Sequence, residues 1–108
     1  LHYRGSEADA ARLEAELNAL RPGSARRVKA DLLAPIAPRA LVEAALAQFR
    51  RLDILVNNAS TFYPTAMGGI EATHWDELMG SNLRAPLFLA QEAAPHLAKR
   101  SGSIVNIV

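Results

Sequence analysis

Apolar positions along this chain alternate between a helical period and short continuous runs. In SEADAARLEAELNAL, Ala10, Leu13, Leu17 and Leu20 fall at helical spacing, with Ser6 as N-cap and Asp9 as its capping-box partner. RPGS ends that helix. ARRVKADL reads as a short strand running into a loop with Pro35 and Pro38. Pro38 suits the first turn of a second helix, which carries Val42, Ala45, Leu46 and Phe49. LDILVN is the clearest strand, aliphatic throughout as strands covered on both faces are. After the loop NNASTFYPT, Thr73 caps a long helix from about His74 to Lys99, whose inward stripe is Trp75, Leu78, Asn82, Leu89, Ala93 and Leu97. SGS turns the chain into a last strand, IVNIV, and the opening LHY reads as the end of a further strand.

Four strands alternating with three helical stretches make three successive βαβ units. That order predicts an α/β fold with a parallel sheet and right-handed crossovers. Ligands of such sheets bind outside the carboxyl ends of the strands. HYRGS, ADL and NNASTFYPT occupy those ends here.

Composition narrows the class. Half of the 108 residues are apolar and no low-complexity tract interrupts them, as in one domain or a piece of one. The net charge of +1 comes from twelve basic and eleven acidic side chains mixed along the chain, so no patch for nucleic acid or anionic lipid is expected. Without cysteine there is no disulfide framework and no thiolate metal site, and His2, His74 and His96 lack metal-ligand spacing. The longest apolar runs fall far short of the roughly 20 residues that span a bilayer, and no signal-peptide pattern opens the chain. A soluble, cytoplasmic protein without a metal is the expectation.

One stretch carries a mechanistic clue of its own. MGSNLRAP sets glycine, serine and asparagine, poor helix formers, inside a strong helix. Pro86 has no N–H to give the residue four before it, so the Asn82 carbonyl loses its α-helical partner and can hold a water. The bland alternative is a tolerated kink.

ADL, RLDILVNNAS and SNLRAPLFL, in this order and at these distances, resemble the short-chain dehydrogenase/reductase family, and LHYRGSEADA with NNASTFYPT narrows the likeness to its pteridine reductases. The resemblance covers essentially the whole chain. It implies an incomplete Rossmann-like, doubly wound parallel sheet holding strands two to five of the family fold, with residues 1–108 as the central part of a single NADP-binding domain. The family's first strand and glycine-rich phosphate turn would precede it. A serine or aspartate and then the YxxxK tyrosine and lysine would follow. Since the family's sheet order puts its first strand between the second and fourth, two inner strand edges are expected to be unpaired. The 108-residue chain alone is therefore expected neither to bind cofactor nor to turn over.

The resemblance also assigns roles. His2, Tyr3, Arg4 and Ser6 would meet the cofactor's adenosine end. NAD enzymes commonly carry an acid there for the ribose hydroxyls, whereas Arg4 can grip a 2′-phosphate through two parallel charge-assisted bonds, which implies NADP(H). Asp31 and Leu32 would flank the adenine. Asn58, Ala59 and Ser60 would approach the ribose and nicotinamide, with Ser60 also in reach of substrate, and Asn57 would tie neighbouring strands together. Phe62 would stack on a flat pterin; the alternative is an apolar anchor that pins the loop. Asn82 would serve a proton relay through water. Tyr63 is read as structural, Trp75 as a core anchor, His74 as the helix start and His96 as an exposed helix end.

The implied reaction is hydride transfer from NADPH to a pterin ring C=N bond, with a pterin or folate-like substrate and a homotetrameric enzyme. Within the same fold a carbonyl or 3-oxoacyl reductase competes with it. From another class, a non-catalytic nucleotide-binding sensor would keep the fold and lack the tyrosine and lysine.

Overall fold

A computed structural model describes residues 1–108, in which four parallel strands and their crossovers follow the predicted order. The elements are β1 (His2–Tyr3), α1 (Glu7–Leu20), β2 (Val28–Lys29), α2 (Ala37–Phe49), β3 (Ile54–Asn57), α3 (Ala72–Met79), a π-helical turn (Gly80–Arg84), α4 (Ala85–Ala98) and β4 (Ser103–Asn106). No helix is long and apolar enough to cross a membrane.

The sheet is split in two. β1 pairs in parallel with β2, His2 opposite Val28, and β3 pairs in parallel with β4, Ile54 opposite Ser103 through Asn57 opposite Asn106. Neither pair bonds to the other. Between them lies an open trough of about 690 Å³ lined from both sides, by Tyr3, Leu13 and Val28 and by Ala45, Leu52 and Val56 among others. The expected unpaired inner edges are thus present, and unpaired edges are templates for another strand.

Burial follows from that gap. Val42 of α2 and Ala93 and Leu97 of α4 form the buried cluster, with Leu46, Leu52 and Leu55 packed against it. α2 and α4 thereby cover one face of β3. Its other face carries Ile54 and Val56, which remain 60% and 55% exposed, so β3 is not covered on both faces as its aliphatic run led us to expect.

Helix entries differ from expectation in instructive ways. Ser6 is the N-cap of α1 by position, but its φ of −83° and ψ of 58° are not the extended conformation that aims a side chain at the first turn, and it makes no cap bond. Asp9 instead pairs with Arg12 at 3.1 Å, so the capping box is absent there. Leu20 lies exposed at the end of α1. A capping box does form at α3, where Glu71 rather than Thr73 is the cap. Glu71 is extended, its backbone carbonyl accepts the His74 N–H at 3.1 Å, and His74 Nδ1 accepts the Glu71 N–H at 3.0 Å. Histidine takes the reciprocal part that glutamate usually plays.

The single long helix is two α-helices joined by the π turn, in which the Ala85 N–H donates to the Gly80 carbonyl. An i→i+5 turn inserts extra residues into the helical repeat. The stripe of Leu89, Ala93 and Leu97 stays buried, while Trp75 on the far side of the turn is 63% exposed and anchors no core. His96 is half-buried rather than exposed.

Asn57 bridges strands as expected, its Nδ2 donating to Asn106 Oδ1 at 2.8 Å. Just before β4, Gly102 lets two backbones touch: a Cβ there would overlap the Asp53 carbonyl oxygen and lie 3.0 Å from Leu97 Cδ2. Gly102→Ala is expected to cost about 1–3 kcal/mol by overpacking, measured as a drop in the denaturation midpoint of the full-length protein.

Candidate functional site

The carboxyl ends of β1, β2 and β3 converge. Arg4, Asp31, Leu32, Ala59 and Ser60 line one small cleft of about 130 Å³, with His2 at its edge. Tyr3, Ser6 and Asn58 face the large trough beside it. Phe62 and Asn82 line neither hollow. No group of three or more His, Cys, Asp or Glu side chains is placed to hold a metal ion.

Local chemistry shapes the β2 side. His2 Nε2 lies 2.9 Å from the Ala30 carbonyl, which makes it the protonated ring nitrogen and braces the end of β2. Asp31 folds its own loop: Oδ1 accepts the Leu33 N–H at 3.0 Å and its carbonyl accepts the Ala34 N–H at 3.0 Å. This is an Asx turn, a local device of aspartate after a strand. The second carboxylate oxygen has no protein donor. Arg4 takes part in none of the ion pairs, so its exposed guanidinium is uncommitted.

The loop after β3 is pinned twice. Asn82 lies in the π turn, exposed rather than inward, and its amide embraces Thr61: the Thr61 N–H donates to Oδ1 at 3.0 Å and Nδ2 donates to the Thr61 carbonyl at 2.8 Å. Ser81 Oγ donates to the Glu77 carbonyl at 2.9 Å and lies 3.3 Å from Asn82 Oδ1. Two residues further on, the Tyr63 hydroxyl donates to Glu77 Oε2 at 2.7 Å, and its ring meets His74 edge-on at 5.7 Å. Phe62 sits between these pins and is 86% exposed, so it anchors nothing.

The Glu77 carboxylate raises the Tyr63 pKa, mainly by accepting the phenol's hydrogen bond. Glu77 thereby favours the neutral phenol, opposite to what an activated tyrosine needs. A folded-state value above the unfolded one means that the contact's contribution is complete below the unfolded tyrosine range, at roughly pH 10, and is lost as pH rises through the folded value. Ultraviolet titration of the full-length protein is expected to show a late-ionising tyrosine, and Glu77→Gln to bring it back toward the ordinary range.

Three partners were not legible in the sequence. Glu77 pairs with Tyr63 across 14 residues, Ser81 reaches Asn82 Oδ1 from inside the helix, and Arg84 reaches the Leu33 carbonyl across 51 residues. Ser81 and Arg84 lie in the SNLRAPLFL stretch, but nothing in that stretch names their partners. The one available signal was the run of poor helix formers that marked the segment of Ser81 and Arg84.

Comparison with known proteins matches this arrangement. The family profile described as short chain dehydrogenase matches residues 1–108. Pteridine reductase 1 of Leishmania tarentolae is 39% identical over an alignment that covers 100% of this chain and 50% of that protein. A 3-oxoacyl-[acyl-carrier-protein] reductase of Staphylococcus aureus is 29% identical over 99% of this chain and 44% of its own length. Among solved structures, a blue fluorescent protein from a metagenomic library, in complex with NADPH, superposes with a TM-score of 0.89 at 32% identity, over 97% of this chain and 42% of that one. The chain thus spans about half the length of the curated relatives it matches over its whole extent. The fold is an incomplete Rossmann-like parallel sheet.

Proposed function

The chain belongs to the short-chain dehydrogenase family, and on that footing we propose that residues 1–108 are the central part of one NADP-binding domain whose full-length protein reduces a pterin ring C=N bond. Phe62 carries the reading. Exposing a phenylalanine so fully forfeits its burial energy, of order 1.5–3 kcal/mol. Here the exposed ring is held by hydrogen bonds at both neighbours, Thr61 and Tyr63. A pinned, solvent-facing ring beside a cleft is a platform for a flat heteroaromatic substrate.

The residues at the cleft fit the adenosine half of NADP(H). Arg4 offers an uncommitted guanidinium for a 2′-phosphate. Asp31 keeps a free carboxylate oxygen for an exocyclic amine, and Leu32 adds apolar contact beside it. His2, Tyr3 and Ser6 flank Arg4 on the same strand end, and Asn58, Ala59 and Ser60 run from the trough into the cleft, where a small residue at 59 permits close approach. When bound, the cofactor supplies the hydride. Asn82 positions the wall through Thr61, and its carbonyl, which Pro86 cannot serve as a donor, is suited to hold the water of a proton relay.

Leu83 and Leu87, one turn apart and 57% and 60% exposed, support an assembly surface on the long helical stretch. A homotetramer is the expected mass of the full-length protein by light scattering; a monomer would remove this part. For the reaction itself, NADPH oxidation by the full-length protein is compared with dihydrobiopterin, dihydrofolate and a 3-oxoacyl substrate. Pterin-dependent turnover is expected, and oxidation with the 3-oxoacyl substrate alone would replace the pterin reading. Residues 1–108 by themselves, with strand edges unpaired, are expected to bind no NADPH.

A further inference from the structure

We infer that the π turn is a bracket for both walls of the cleft, with Arg84 as the positioning residue that holds the Asp31–Leu33 wall, an inference that rests on the cofactor reading above. Arg84 Nη2 donates to the Leu33 carbonyl at 2.8 Å. Leu33 also packs on Gly80, where an added Cβ would lie 2.6 Å from Leu33 Cδ2 and 3.5 Å from Arg84 Nη2. Gly80 and Arg84 are four residues apart, hence on one side of the helical turn, and both face Leu33.

The opposite side of the same turn serves the other wall. Asn82 lies two residues from Arg84, a spacing that sends side chains in nearly opposite directions on a helix. Its amide holds the Thr61 backbone through two hydrogen bonds. The loop 59–61 and the loop 31–33, both lining the cleft, are therefore fixed to five consecutive residues.

The consequence for Asp31 is specific. Leu33 has its N–H bound by Asp31 Oδ1 and its carbonyl bound by Arg84. The two groups lie in consecutive peptide units joined at the Leu33 Cα, so freeing the carbonyl releases rotation about that residue and loosens the Asx turn on its other side, and the carboxylate that is to meet the adenine loses its orientation. Arg84 thus acts through Asp31 and Leu32 without touching the ligand. Its exposed position makes its replacement compatible with folding.

The test uses the full-length protein with Arg84→Ala, Arg84→Lys and, for comparison, Asn82→Ala. Amide exchange without cofactor is expected to accelerate about tenfold at Leu33 and Ala34 in Arg84→Ala, a hydrogen bond from a charged donor being lost. In Asn82→Ala the acceleration is expected at Thr61 instead. Arg84→Ala is further expected to raise KM for NADPH about tenfold with kcat within about twofold of wild type, and Arg84→Lys, which keeps a donor for the carbonyl, to recover most of both effects. Unchanged exchange at 33 and 34 in Arg84→Ala would overturn the bracket. Equal losses in kcat and in affinity for NADPH and pterin would overturn the assignment of Arg84 to the adenine side. If the wild-type protein binds no NADPH, the cofactor reading falls, while the exchange pattern still decides whether Arg84 holds the loop.

Discussion

Phe62→Ala in the full-length protein is expected to lower kcat/KM for dihydrobiopterin by about ten- to a hundredfold, while changing that for a 3-oxoacyl substrate by less than about threefold. An offset ring stack is worth about 1 kcal/mol beyond area, and the apolar area that a bound pterin would cover adds to it. About 1.4 kcal/mol is a factor of ten. The side chain is 86% exposed and packs against nothing that holds the loop, since the pins are Asn82 on Thr61 and Glu77 on Tyr63. Stability should therefore be nearly unchanged, and unchanged stability separates loss of a substrate platform from loss of folding. Equal effects on both substrates would count against stacking.

Arg4→Glu should move cofactor preference. The guanidinium stands at the carboxyl end of β1 with no acidic partner to compete for it. Two parallel bonds to a 2′-phosphate, at about 1.5–3 kcal/mol for a hydrogen bond to a charged group and less where solvent screens it, give an expected fall in kcat/KM for NADPH of roughly a hundred- to a thousandfold. NADH should be far less affected, because a carboxylate at this position can accept from the ribose hydroxyls. The ratio of the two cofactors in steady-state assays reads this directly. An unaltered ratio would leave Arg4 as a solvated surface charge.

What was legible in the sequence was whatever rests on local pattern. The βαβ order, the proline in the first turn of α2, the break at MGSNLRAP and the strand-bridging Asn57 each follow from a few neighbouring residues. Helix caps were less legible, because Ser6 has the right side chain in the wrong backbone conformation and Glu71 shares a capping box with a histidine that a search for serine or threonine passes over. Trp75 lies off the buried stripe because the π turn between them changes the helical repeat. Exposure of β3 on one face reflects the split sheet, a property of pairing between distant strands. The brackets at the site were the least legible. Arg84 to Leu33, Tyr63 to Glu77 and Asn82 to Thr61 span 51, 14 and 21 residues, and no periodicity reports contacts of that range.

The central claim is hydride delivery to a pterin ring, and isotope transfer tests it most directly. The full-length protein is incubated with dihydrobiopterin and NADPH carrying deuterium at the transferable position of the nicotinamide, and the pterin product is weighed by mass spectrometry. One deuterium in the reduced pterin, gained in step with cofactor oxidation, is the predicted result. A pterin recovered unreduced and unlabelled, while the same preparation transfers deuterium to a 3-oxoacyl substrate, would contradict the account.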